Sequence, residues 1–352
     1  MELFAGAGGL GVGLEEAGFR VALANEVERD FAETFRLNHP KTKVICGDVH
    51  EVDFVEELRS LGISKLDLLS GGPPCQGFST VGAKNRRDPR NSLFYEYLRA
   101  VRETDPSCVL FENVSGFRRM YGGAAYATLL RELDALGYET TSAVLDASDY
   151  GLPQIRLRTI VLGWKSEISP LRLPEPSFGG EGRPAKRTLI SAISDLPELG
   201  PGESKREYRC APENDWQRRL RGLEPELTEH NCARYGERMR RILALIPEGG
   251  SVADLPETLR PKSYFANTYA RLCPDRPAPT ITRNFGTPSS SRCVHPFQNR
   301  ALSTREGARL QSFPDAYRFY GGKTSKNLQI GNAVPPLLGC VLARTIREEG
   351  GI

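Results

Sequence analysis

The sequence has little that could hold a metal or a disulfide framework. Its eight cysteines (46, 75, 108, 210, 232, 273, 293 and 340) lie far apart with no CxxC pair, and only four histidines accompany them. That spacing argues against a zinc site and against paired bridges, and points to reduced thiols inside a cell. Long apolar runs are missing as well. The opening MELFAGAGGLGVGL is broken by glycines throughout, so neither a signal peptide nor a membrane span is expected and the protein should be soluble. Nor does one sign of charge dominate. Charged residues make up 26% of 352, with a formal net charge of +3, which excludes a purely electrostatic, histone-like binder and does not by itself name a partner. The length suits about two domains.

What the chain does have is one thiol on a rigid turn. GGPPCQGFS (71–79) follows KLDLLS (65–70), which reads as a short buried strand, so the turn stands at a strand's carboxyl end, where open α/β sheets place their ligands. Pro73 and Pro74 fix their own φ and push the preceding residue toward extended geometry. Cys75 is thereby aimed, and as a thiolate it is a candidate nucleophile. Read alone, an incidental loop cysteine is the plainer interpretation.

The N-terminal stretch reads as strand, glycine loop, helix. Gly6, Gly8 and Gly11 fit G-x-G-x-x-G, a backbone that lets a ligand approach closely with a helix N-terminus behind it. A second strand, FRVALANE (19–26), ends in Glu26 about twenty residues after the loop, where a nucleoside-binding sheet places a carboxylate for ribose hydroxyls. A third, KVICGDV (43–49), brings Asp48 to the same edge, able to accept from an adenine amino group. Together these strand ends describe a nucleoside pocket. Singly, each also reads as a strand end, an N-cap or a turn. After Cys75, the loop 80–90 carries Lys84, Arg86, Arg87 and Arg90 with no clear period; it suits a lid over a polyanion and equally a solvated surface. From Ser92 the pattern is helical, with Leu93, Tyr97 and Val101 spaced by four, and PSCVLFENV (106–114) is a fifth strand presenting Glu112 at its end.

In that order, GAGGLG, an acid after strand two, GD after strand three, GGPPCQGFS after strand four and ENV after strand five resemble the DNA (cytosine-5) methyltransferases of bacterial or phage modification systems. YGLPQIRLR (150–158), RPAPTIT (276–282) and GNAVPP (331–336) resemble that family's later motifs, so the likeness spans nearly the whole chain. It implies an α/β fold: a Rossmann-like S-adenosylmethionine-dependent methyltransferase domain with a mostly parallel sheet, formed discontinuously by 1–170 and 328–352, and a smaller mixed target-recognition domain over 171–327. It implies that S-adenosylmethionine is held by Phe4, Ala5, Gly6, Gly8, Gly9 and Leu10 of the glycine loop, by Glu26 and Val27, by Asp48 and Val49, by Pro74, and by Asn332 and Val334 of a C-terminal segment folded back beside that loop. No metal is implied.

The family's chemistry explains why these residue types are needed. Carbon 5 of cytosine is a poor nucleophile; thiolate addition at carbon 6 makes the ring electron-rich, and loss of the carbon 5 proton later expels the thiol. Cys75 fits that role. Glu112, one strand over, fits the acid that protonates ring nitrogen 3. Arg156 and Arg158 alternate with Ile155 and Leu157, so on an extended segment both point to one face; by resemblance that face is the active site, although a lone RxR pair reads more simply as surface. Because the target atom is hidden in a duplex, the cytosine must be extruded, and the resemblance makes 80–90 the closing loop.

The second half opens with a Pro- and Gly-rich stretch, SPLRLPEPSFGGEGRP, that reads as a domain exit. Between Arg183 and Asp275, 16 Lys or Arg and 14 Asp or Glu are interspersed, a solvated surface or, by resemblance, the region that reads the DNA sequence. SYFANTYARLCPDRPAPTITRNF (263–285) has the alternating, aromatic-rich look of strands. Ser303 followed by Glu306 is a capping box opening a helix, and Pro335 and Pro336 suit the first turn of another. The expected partners are duplex DNA with a flipped cytosine and, functionally, a cognate restriction endonuclease; a monomer in the cytoplasm, on the nucleoid if bacterial, is implied. The same chemistry on RNA is the nearest rival. A nicotinamide or flavin oxidoreductase would own the glycine loop and Glu26 but leave Cys75, Glu112, Arg156 and Arg158 unexplained.

Overall fold

The computed structural model describes residues 1–74 and 92–352; Cys75 and the loop 80–90 lie outside the described residues. The chain forms two units, one of Met1–Asp146, Leu157–Pro176 and Pro336–Ile352, the other of Ala147–Arg156 and Ser177–Pro335. Relative to the boundaries expected from sequence, 147–156 and 328–335 fall in the second unit instead of the first, and 171–176 in the first instead of the second.

The first unit is built on a seven-stranded sheet of order β3-β2-β1-β4-β5-β7-β6, with β1 (Glu2–Leu3), β2 (Leu23–Glu26), β3 (Lys43–Cys46), β4 (Leu68–Gly71), β5 (Cys108–Val114), β6 (Glu139–Asp146) and β7 (Leu157–Trp164). Only β7 runs antiparallel to its neighbours. β4 is buried along its whole length, Ser70 included, and β5 opens with the apolar run 108–111, as strands covered on both faces require; Leu69, Val109, Leu110 and Phe111 are completely buried. The helices are α1 (Gly9–Glu16), α2 (Arg29–Asn38), α3 (Phe54–Ser60), α4 (Ser92–Thr104), α5 (Ala124–Ala135) and, from the far end of the chain, α11 (Pro336–Gly350). The α1–α11 contact requires a glycine: a Cβ on Gly13 would lie 2.4 Å from the Cys340 nitrogen and 2.5 Å from the Pro336 carbonyl oxygen. α11 thus packs against the helix that the glycine loop opens, whereas Asn332 and Val334, expected beside that loop, belong to the second unit.

The second unit holds α6 (Leu189–Ile193), α7 (Asp215–Arg221), α8 (Glu237–Leu245), α9 (Thr304–Leu310) and α10 (Lys323–Asn332). The strands expected over 263–285 do not form. Among the described residues that segment has only isolated bridges, Arg271 with Val294 and Ala278 with Gln154, because Pro274, Pro277 and Pro279 have no N–H to give a ladder. Buried guanidinium groups supply the missing donors. Arg271 donates to the carbonyls of Leu243, Ile246, His295 and Gln298 and to the Asn299 side chain. Around α9, whose capping box pairs Ser303 and Glu306 reciprocally, Arg300 binds both Glu306 oxygens at 2.7 Å and Arg309 binds Asp195 and Asp315.

Glu2 on β1 is 2% exposed, and among the described residues nothing hydrogen-bonds its Oε2. Burial pushes its carboxyl up to about 8 from an ordinary 4.5, the Met1 ammonium pulling it down and the Glu15 and Glu26 carboxylates pushing it further up. A carboxyl raised on folding holds a proton that the unfolded chain has released, so its contribution to stability falls as pH rises from the ordinary value to the raised one. Glu2→Gln should therefore gain thermal midpoint over wild type progressively between pH 5 and pH 8, with the gap constant above; melting curves across that range check it, and a gap independent of pH would refute it.

Candidate active site

Parallel pairing of β4 with β5 sets Gly71, the last residue of β4, opposite Phe111, so the residues just past β4 meet the last three residues of β5, 112–114. Gly72 faces Glu112 so closely that a Cβ there would lie 3.0 Å from Glu112 Oε2. One residue further along each motif, the buried Asn113 side chain donates to the Pro73 carbonyl at 3.0 Å. The Pro-Pro turn that leads into Cys75 is thereby pinned to the end of β5. Pro74, the last described residue before Cys75, is exposed.

Glu112 pairs with Arg158, whose Nε is 2.8 Å from Oε1, both side chains nearly buried at 12% and 13% exposure. The pair follows from the antiparallel β5–β7 register, in which Arg158 stands opposite Val114, making Glu112 its diagonal neighbour. A charge-assisted bond of this kind fixes the carboxyl's orientation. Arg156 goes elsewhere. The expectation that both arginines share one face fails, because the chain passes from the second unit to the first between Arg156 and Leu157. Arg156 is completely buried and donates to the carbonyls of Ile281 at 3.1 Å, Gly331 at 2.9 Å and Ala333 at 2.8 Å. It ties RPAPTIT to GNAVPP and holds the backbone on both sides of Asn332.

The glycine loop is clasped by Glu26. Its Oε2 accepts from the Gly6 N–H at 2.7 Å and its Oε1 from the Glu28 N–H at 2.9 Å. Burial pushes this carboxyl up and those backbone bonds oppose the push. Phe4 holds a positive φ of 54°, followed by Gly6 at 57° and Gly8 at 83°, a run that a side chain such as Phe4 adopts only under strain. Ala5 donates to the Asn25 carbonyl at 3.0 Å, Gly8 is the N-cap of α1, and Gly9 and Leu10 form its buried first turn. Val27, directly after Glu26, is 62% exposed, an open apolar face of the kind a purine ring covers. Asp48 caps a 3₁₀ turn, and its Oδ1 accepts from the His50 backbone at 3.0 Å and from the His50 ring at 2.6 Å; Val49 is buried. Asn332 is exposed and Val334 half-buried, both in the second unit.

Two residues that hold the site were not singled out as contributors from sequence. Asn25, 2% exposed, donates to the carbonyls of Ile45 and Gly47 and so fixes the turn before Asp48; a buried polar residue beside a strand-end acid was its only signal. Gly72 reads as a turn glycine until β5 supplies the carboxylate that excludes its side chain. The other cysteines compete poorly as nucleophiles where burial pushes the thiol up, to about 12 for Cys108 and further for Cys293.

The family model for C-5 cytosine-specific DNA methylases matches residues 1–348. The chain is 34% identical to the Type II methyltransferase M.AgeI of Thalassovita gelatinovora, over 99% of this chain and 98% of that protein. It is also 34% identical to the Type II methyltransferase M1.HphI of Haemophilus parahaemolyticus, over 98% and 86%. Among solved structures, an E. coli prophage-encoded protein described as a DNA modification methyltransferase superposes with a TM-score of 0.80 at 24% identity, over 100% of this chain and 99% of that one. The Dnmt2 methyltransferase of S. pombe gives 0.61 at 18%, over 99% and 97%; these likenesses concern the fold.

The two arginines should separate cleanly in unfolding experiments. Arg156→Ala leaves three buried carbonyls unpaired and should cost about 3–5 kcal/mol. Arg158→Ala breaks a single ion pair whose partners keep some contact with water and should cost less, about 1–3 kcal/mol. Denaturant titrations of both variants check the order, and equal losses would contradict it.

Proposed function

The chain belongs to the C-5 cytosine-specific DNA methylase family, and from that premise we infer that it transfers a methyl group from S-adenosylmethionine to carbon 5 of cytosine within a specific duplex DNA sequence, with Cys75 as the covalent nucleophile. The observation that carries the assignment of Cys75 is the pinning of the Pro73 carbonyl by Asn113, beside the Gly72 contact with Glu112. It brings the thiol's turn and the acid's strand to one place.

The site fits the cofactor: a strained glycine loop, a clasped Glu26, an open Val27 and Asp48 at successive strand ends are the groups that would hold its ribose and adenine. S-adenosylmethionine, when bound, supplies a methyl group on a positively charged sulfur. The chain's own residues make the cytosine able to take it. The Cys75 thiolate adds to carbon 6, and Glu112 holds a proton at ring nitrogen 3 as charge develops there. Arg158 keeps the Glu112 carboxyl oriented and places a positive charge beside it, which stabilises the electron-rich ring and the thiolate alike. After methylation the carbon 5 proton leaves and the carbon–sulfur bond breaks, returning the thiol.

As the named relatives are Type II methyltransferases, the natural context is modification of a site that a cognate restriction endonuclease would otherwise cut. A monomer acting on the nucleoid suffices for this. Nothing in the family assignment leaves room for the nicotinamide or flavin reading, and the family description names DNA as substrate.

DNA from cells expressing the protein should show 5-methylcytosine at one short sequence by bisulfite sequencing. A duplex carrying that sequence with 5-fluorocytosine at the target should be trapped as a covalent complex, since fluorine cannot leave as a proton. Cys75→Ala should abolish trapping while still binding S-adenosylhomocysteine; an adduct in that variant would move the nucleophile elsewhere. Glu112→Gln should lose turnover by about 10²-fold or more with DNA binding retained, and unchanged turnover would remove its role.

A further inference from the structure

The turn that follows β3 is mounted more firmly than its exposure suggests. Asn25 on β2 holds its entry through the Ile45 and Gly47 carbonyls, and the Gly47 N–H donates to the Glu26 carbonyl at 3.1 Å. Arg99 on α4 holds its exit. The guanidinium lies 4.6 Å over the Phe54 ring and donates to the Val49 carbonyl at 2.9 Å and to the Val52 carbonyl at 3.1 Å. Between these two clamps the backbone of the 3₁₀ turn Val49–Glu51 has one course. What they leave unset is the rotamer of the residue that caps the turn, Asp48, whose side chain is 55% exposed.

A capping carboxylate is satisfied by one backbone N–H, and Asp48 Oδ1 already takes that of His50 at 3.0 Å. The same oxygen takes a second bond, from the His50 ring Nδ1 at 2.6 Å. These bonds hold the Asp48 carboxyl below its ordinary range, and an ionised carboxylate only accepts, so Nδ1 is the ring atom that carries the proton. An ion pair this open to water adds little to stability. Its effect is on direction. With Oδ1 engaged twice, the plane of the carboxylate is set, and Oδ2, which has no hydrogen bond among the described residues, keeps a fixed bearing. The β2–β3 register pairs Glu26 with Cys46, so the open apolar Val27 and Gly47 leave the sheet side by side. A Cβ on Gly47 would meet no described atom within 4 Å, so a flat ring lying against Val27 has room to bring an N–H donor on its edge to Asp48.

We propose that His50 is a positioning residue for the cofactor: its ring holds Asp48 Oδ1 so that Oδ2 accepts from the exocyclic amino group of adenine, and the preference for a 6-aminopurine depends on that hold. The inference rests on the methyltransferase reading above and adds to it a residue that acts through Asp48 without touching the cofactor.

The test uses the full-length enzyme and two ligands titrated by calorimetry, S-adenosylhomocysteine and the same compound with hydrogen in place of the purine amino group. Wild type should bind the first about tenfold or more tightly than the second, as a site built to accept a hydrogen bond rejects a ligand that lacks the donor. His50→Ala keeps the backbone cap and loses the ring; it should narrow the gap to about threefold or less, through weaker binding of the amino compound alone. His50→Asn, whose amide NH₂ replaces the ring Nδ1–H as donor, should restore most of the gap, and both variants should melt with wild type. An unchanged gap in His50→Ala, equal weakening of both ligands, or a wild type that does not tell the ligands apart overturns the proposal. A wild type that binds neither ligand and leaves no 5-methylcytosine in expressing cells would overturn the methyltransferase reading itself.

Discussion

The side-by-side pairing of β4 and β5 is the constraint on which the active site depends. β5 runs on past the end of β4, so whatever follows β4 must pack against the last residues of β5. Here that forces a glycine opposite a carboxylate and lets an asparagine hold the carbonyl of a proline that has no N–H of its own to anchor it. The Pro-Pro turn is stiff because of its rings; its direction comes from β5. Antiparallel β7 then adds the guanidinium from the other side, at a diagonal position that a parallel strand would not provide. Three strands thus converge on one edge without any long connecting element.

The second unit meets the same problem of satisfying buried carbonyls by different means. A chain rich in proline cannot build ladders, and isolated bridges leave acceptors over. Arginine suits the task because its planar fork offers five donors and stays charged in every environment. Arg271 is spent on main-chain and amide oxygens, whereas Arg300 and Arg309 each bind buried acids. Desolvating such groups is costly, and full coordination is what makes the burial tolerable.

Much of the first unit was legible because its signals are local. Apolar runs of four to seven residues, glycine after the first and acids at the ends of the next two are enough to lay out an open sheet, and the Ser303–Glu306 capping box forms as read. What failed was non-local. The alternation IRLR looks like one extended segment with two arginines on one face, yet the chain changes unit in its middle, and no periodicity records that. Aromatic alternation over 263–285 looked like strand because propensity was weighed above the three prolines that remove its donors. Asn25 and Gly72 were invisible as contributors because their roles exist only once a distant strand lies beside them.

Main-chain oxygens are chemically identical from residue to residue. Since Arg271 grips the stretches at 243–246 and 295–299 almost entirely by such atoms, their outward side chains are free to be exchanged while the grip persists. A surface held this way keeps its course while its outward residues change by point substitution.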